Sequence, residues 1–218
     1  MKKKLSITFA IIVWFAVFTQ YYLMIENRVV SISETTIRFF SFFTILTNSI
    51  VAIYFTIVIF KIKNGFAAII DKPGTLTAIT VYITIVGLVY QVVLRHLWHP
   101  AGLQMIIDEL LHTLIPIMVI IYWYLYENKL SVTYAQIPKW LVYPLTYLTY
   151  ILIRGKISNF YPYPFVNVEN LGLLKVLITS VLLIALFIGL SAIFIRVGRV
   201  AKNQPLSLST QNHHKDSY

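Results

Sequence analysis

Apolar runs and short polar breaks alternate along this chain six times. Residues 5–25, 37–60, 75–98, 103–126, 138–154 and 172–196 are rich in Ile, Leu, Val and Phe, and each is near the ~20 residues an α-helix needs to cross a bilayer. The longest break, residues 155–171, carries Tyr161-Pro-Tyr-Pro-Phe165, whose two prolines disfavour helix there. The pattern predicts an all-α integral membrane protein whose six transmembrane helices occupy residues 1–198, followed by a polar, flexible tail over 199–218. Met1-Lys-Lys-Lys4 followed by an apolar run resembles a secretion signal, but the run continues through Met24 without a small-residue cleavage site. It is expected to stay as the first helix.

Polar residues inside two of the runs break the pattern. In the second, Ser41, Thr44 and Asn48 recur at spacings of three and four, which on one helix makes a polar stripe, with Thr47 at its edge. A lipid-facing helix has no use for that stripe, so it faces other helices, water or a substrate. The fourth run carries Asp108, Glu109 and His112. Ionisable groups within a spanning helix are costly and face an interior or a cavity. At ~1.5 Å per residue, Thr44 would lie ~10 Å below an entry at Ile37, and His112 ~13 Å below an entry at Leu103. The two sites are therefore expected at one depth. Gln91, Arg95, Arg154 and the Tyr161, Tyr163 and Phe165 loop fall in the same half, where they are expected to bind or cover a substrate, with Arg95 able to take a carboxylate.

Composition agrees with a membrane protein: 58% hydrophobic, 12% charged, mean hydropathy +0.76. The absence of cysteine removes disulfides, thiolate nucleophiles and cysteine metal ligands. A net charge of +10 would suit nucleic acid, but the basic residues sit at the ends of the apolar runs, so no nucleic-acid partner is expected. Lys2, Lys3, Lys4, Lys61, Lys63, Lys72, Lys129, Lys139, Arg196, Arg199, Lys202 and Lys215 fall on one predicted side; Arg28, Arg38, Arg95, Arg154, Lys156 and Lys175 fall on the other. Twelve against six puts the N- and C-termini in the cytoplasm.

Several chemistries are open to these residues. A threonine hydroxyl becomes a useful nucleophile when a base takes its proton, and Thr44 with His112 would make such a pair. Asp108, one turn before His112, can orient the ring, and Pro116, four residues after it, denies the His112 carbonyl its helical donor and predicts a kink. A zinc site from His96, His99, His112 and Asp108 is an alternative, as is a non-enzymatic lipid or small-molecule binding or transport protein. No internal repeat or pair of Gly/Pro-broken helices favours transport.

Phe42-Phe-Thr-Ile-Leu-Thr-Asn48, Leu111-His-Thr-Leu-Ile-Pro116 and Tyr161-Pro-Tyr-Pro-Phe165 resemble the androgen-induced-gene family of intramembrane threonine hydrolases, most closely its bacterial six-helix relatives. The resemblance runs from the second to the sixth helix. It implies hydrolysis of lipid esters, of the fatty acid ester of hydroxy fatty acid type, with Thr44 as nucleophile and His112 as base. Asn48 is expected to stabilise the oxyanion, Asp108 to orient His112, and Ser41 and Thr47 to support the site. It further implies a lipid substrate drawn from a bacterial plasma membrane, a site toward the outer leaflet, and no cofactor. Two departures stand out: the family histidine has one more residue before its proline, and the Asp or Asn expected three residues after the threonine is here Thr47, then Asn48. Thr47 is accordingly a competing nucleophile.

Overall fold

The structure, a computed structural model, describes residues 1–62, 65, 68, 70, 72–97 and 99–202. Every regular element among them is helical: α1 (Lys2–Glu26), α2 (Ile32–Phe39), α3 (Phe43–Phe60), α4 (Thr75–Val89), α5 (Gly102–Glu109), α6 (Ile115–Tyr126), α7 (Ile137–Ser158), α8 (Val168–Leu171) and α9 (Leu173–Lys202), with short 3-10 turns between. A π-turn over Tyr90–Leu94 extends α4, and another over Leu110–Leu114 joins α5 to α6. Lys63, Lys215 and residues 203–218 of the expected tail lie outside the described residues. Because α9 runs to Lys202, the expected boundary at residue 198 falls inside a helix.

Among the described residues five helical stretches are long and apolar enough to cross a membrane: Lys2–Glu26, Phe43–Phe60, Thr75–Leu94, Gly102–Tyr126 and Leu173–Val200. The run expected at 138–154 is also helical, as the 22-residue α7, but it is less apolar. It carries prolines, tyrosines and basic residues, and two of the tyrosines turn inward: Tyr143 meets the Thr47 hydroxyl at 3.0 Å and Tyr147 donates to the Ser41 carbonyl at 2.8 Å. Pro144 inside α7 cannot supply the N–H that would bond the Trp140 carbonyl, and the Tyr82 hydroxyl of α4 donates to that carbonyl at 2.6 Å instead.

The helices pack around α4, which touches α3, α6 and α9, while α1 lies along α3. Basic residues gather where the chain repeatedly returns to one end. There Lys2 lies over the Tyr126 ring, Gly198 packs on Lys129, Arg199 lies over Tyr134, and Gln136 donates to the Pro73 carbonyl. At the other end Arg154 and Arg38 both bond Glu34 and both lie over the Phe160 ring. The hydrogen bond from Arg38 holds the Glu34 carboxyl below the ordinary carboxylate range.

The second run is not one helix. α2 stops at Phe39 and α3 restarts at Phe43, with Phe42 extended at φ −83°, ψ 125°. Ser41 sits in the break, so it does not share a helix face with Thr44 and Asn48, and the expected three-residue stripe is not formed. The break is held from the side: the Ser41 hydroxyl donates to the Ile37 carbonyl at 2.6 Å and meets the Tyr150 hydroxyl at 3.3 Å.

Candidate active site

The break places Thr44 second in α3, at a helix N-terminus, and not ~10 Å down a continuous helix as 1.5 Å per residue implied. There its backbone N–H has no intrahelical acceptor. The Tyr163 hydroxyl supplies one, accepting the Thr44 N–H at 3.2 Å and lying 3.4 Å from Thr44 Oγ1. Tyr163 reaches this point from the Pro-rich loop, braced by a ring stacked on Phe165 and an edge contact with Phe42. The loop expected as a cover thus contributes a hydroxyl to the site itself.

His112 comes from the π-turn that precedes Pro116. Its Nε2 is 3.3 Å from Thr44 Oγ1, and its Nδ1 is 2.9 Å from the Asp108 carbonyl oxygen. A carbonyl only accepts, so Nδ1 carries the proton and Nε2 turns its lone pair to the threonine hydroxyl. Asp108 Oδ1 stands farther off, 3.5 Å from Nδ1, so the Asp108 backbone orients the ring more directly than its carboxylate. The Tyr90 ring stacks on the imidazole at a centroid distance of 4.0 Å. Both π-turns therefore carry a ring of this pair, and Gly87 lets α4 come close enough: a Cβ there would lie 3.0 Å from the His112 carbonyl and 3.3 Å from Pro116. The kink expected at Pro116 is realised as this π-turn.

The supporting residues divide. Asn48 is not free to hold an oxyanion, because its amide nitrogen donates to the Thr44 carbonyl at 2.9 Å and the Leu111 carbonyl at 3.4 Å, using both hydrogens to tie α3 to the His112 turn. Thr47 spends its hydroxyl on Tyr143, so of the two threonines it is Thr44 that the structure brings to His112. Gln91 and Arg95 form a separate network with Thr113 and Glu109, in which Arg95 pairs with Glu109. They do not line the cavity described next, so Arg95 is not placed to take a substrate carboxylate. Arg154 is committed to Glu34 and Ser158, and Tyr161 packs on Gly155, where a Cβ would strike its ring. His96 and His99 are exposed, and among the described residues no three His, Asp or Glu side chains gather as metal ligands.

Two cavities meet at Thr44, Leu94 and Tyr163. The smaller, about 80 Å³, is walled by apolar side chains including Ile85, Val89, Phe165, Leu183 and Phe187. The larger, about 980 Å³, holds His112 and Asp108 and also Thr35, Arg28, Arg38 and Gln104. Asp108 Oδ2 and Thr35 Oγ1 are buried without a hydrogen-bond partner among the described residues. Sequence reasoning missed Tyr90, whose ring has no motif around it, and counted Arg28 and Arg38 only as charges that orient the chain. No family model, no curated protein and no solved structure matches the chain.

Proposed function

We propose that this protein is an intramembrane hydrolase of lipid esters with Thr44 as nucleophile and His112 as general base. The observation that carries the reading is the pairing of Thr44 Oγ1 with the unprotonated Nε2 of a buried histidine whose Nδ1 is tied down. A base needs to be within hydrogen-bond reach of the proton it takes, and structures without substrate show such contacts slightly long, as here at 3.3 Å. His112 takes the Thr44 proton as Oγ1 bonds the ester carbonyl carbon. The oxyanion forms beside the α3 N-terminus, where the Tyr163 hydroxyl, which accepts the Thr44 N–H, has its own hydrogen to donate and the helix dipole favours negative charge. The carbon–oxygen bond to the alcohol then breaks, the alcohol leaving with the proton from His112. Water, deprotonated by His112, releases the acid from acyl-Thr44. The smaller cavity offers the first few carbons of the acyl chain an apolar berth at the reacting oxygen.

The family resemblance supports the same roles, and makes fatty acid esters of hydroxy fatty acids the first substrates to assay. The test is twofold: a fluorophosphonate probe should label Thr44 of the purified protein, and the protein should release fatty acid from lipid esters. Neither labelling nor release, with lipid binding intact, would favour a binding protein and defeat this reading.

The membrane setting belongs to the proposal: α7 is the sixth span, both termini are cytoplasmic, and Thr44 faces the outer leaflet of a bacterial plasma membrane. The excess of basic residues at the end opposite Thr44 supports this orientation. In intact cells Asn170→Cys should react with an impermeant maleimide and Lys72→Cys should not. The opposite pattern would reverse the orientation.

A further inference from the structure

An ester has an acyl side and an alcohol side, and the two cavities that meet at Thr44 differ in chemistry. The smaller is apolar throughout most of its wall. The larger is lined by two guanidinium groups as well as apolar surface. If the acyl chain enters the smaller, the alcohol of the substrate occupies the larger.

The arginines there are prepared for an anion. Arg38 is positioned by a 2.8 Å bond from Nε to Glu34 and by stacking 4.4 Å from the centre of the Phe160 ring. Among the described residues its two terminal nitrogens have no hydrogen-bond acceptor, so a fixed fork of donors stays open. Arg28 bonds only the Ile25 carbonyl, at 2.8 Å, and has no acidic partner among the described residues. Arg38 and Arg154 share the single carboxylate of Glu34, so one of their two charges is unmatched, and among the described residues the charge of Arg28 is unmatched as well. Two positive charges are left unbalanced at the exposed end, while the Asp108 carboxylate lies at the buried end beside His112. A substrate's own anionic group is thereby favoured at the mouth over the Asp108 side of the cavity.

We infer that the larger cavity binds a phosphate on the alcohol side of the substrate, so that the ester cleaved at Thr44 belongs to a phosphate-bearing glycerolipid. The inference rests on the esterase reading above and departs from the carboxylate-ended alcohol that the family resemblance implies. Two guanidinium groups, those of Arg38 and Arg28, suit the double charge of a phosphate monoester better than the single charge of a carboxylate.

The experiment compares three esters of one fatty acid on the purified full chain in neutral detergent: acylglycerol phosphate, neutral acylglycerol, and an ester of a carboxylate-ended alcohol. The phosphate ester should exceed both others in kcat/KM by at least ~10-fold, a preference that falls with added salt. Arg38→Gln and Arg28→Gln should each bring the ratio toward one. Arg28 is exposed and holds only one backbone carbonyl, so its variant reports even if Arg38→Gln fails to fold. Equal turnover of the three esters, or an unchanged ratio in both variants, overturns the phosphate subsite and leaves the esterase standing. A carboxylate-ended ester matching the phosphate ester overturns it too. Should no ester be cleaved, thermal stabilisation by acylglycerol phosphate in the wild type, lost in Arg28→Gln, upholds the subsite and defeats the esterase; no stabilisation defeats both.

Discussion

The packing of α1, α3 and α6 around Tyr122 and the neighbourhood of Thr44 are built from the same kinds of residue to opposite effect. Around Tyr122 the helices are regular, Phe55 meets Phe9, Tyr54 and Tyr122 edge to face, and most polar groups find each other, Ser6 with Tyr122 at 2.9 Å and Trp14 donating to Thr56 at 3.1 Å, the buried Tyr126 hydroxyl being the exception among the described residues. Around Thr44 the backbone is interrupted on three sides, by the α2–α3 break and the two π-turns, and Asp108 and Thr35 keep buried oxygens without partners. Regular helix satisfies its own backbone and leaves side chains free to pack. Interrupted helix frees N–H and C=O groups, and the structure turns them toward His112, Asn48 and Tyr163. One region is arranged to hold the fold, the other to hold something else.

That contrast is most sharply broken by Thr44→Ala. It should lower ester turnover by at least ~10³-fold and abolish probe labelling, with the melting temperature in detergent little changed, because only a hydroxyl and a methyl leave a cavity wall. Thr44→Ser keeps the oxygen and should retain part of the rate. Phe55→Ala tests the other side: removing a fully buried ring should cost ~3 kcal/mol of stability, read by thermal unfolding, while the folded fraction still labels at Thr44. A variant that labels poorly although folded would show that the two regions are one unit. Tyr163→Phe removes a donor but keeps the ring stack, so kcat should fall ~10²-fold with KM nearly constant. A change confined to KM would make Tyr163 a lid and nothing more. Smallest of all, Thr47→Ala loses its bond to Tyr143 and should cost about 1 kcal/mol of stability, with labelling retained. Loss of labelling there, with an adduct still forming on Thr44→Ala, would move the nucleophile to Thr47.

Apolar runs of the right length sufficed to locate five of the long helices among the described residues, because a bilayer-sized helix needs little but composition and length to declare itself. Thr44 and His112 stood out for a related reason: a polar or ionisable group in such a run is costly unless it is used. Reading them as partners depended on the family resemblance more than on any spacing, since depth along an unbroken helix was the wrong ruler once α2 and α3 proved separate. The break itself left little trace, for Phe40-Ser-Phe42 contains neither glycine nor proline. It is held by Tyr147 and Tyr150, more than a hundred residues away. The same distance explains the misplaced roles of Asn48 and Arg95: each is a plausible donor by type, and each is taken up by a neighbour that only the packed bundle supplies. Which residues are apolar, charged or costly to bury is a local property of the chain. Which hydroxyl faces the free imidazole nitrogen is decided by contacts between distant segments, and these exist only once α3, the His112 turn and the Tyr163 loop are packed together.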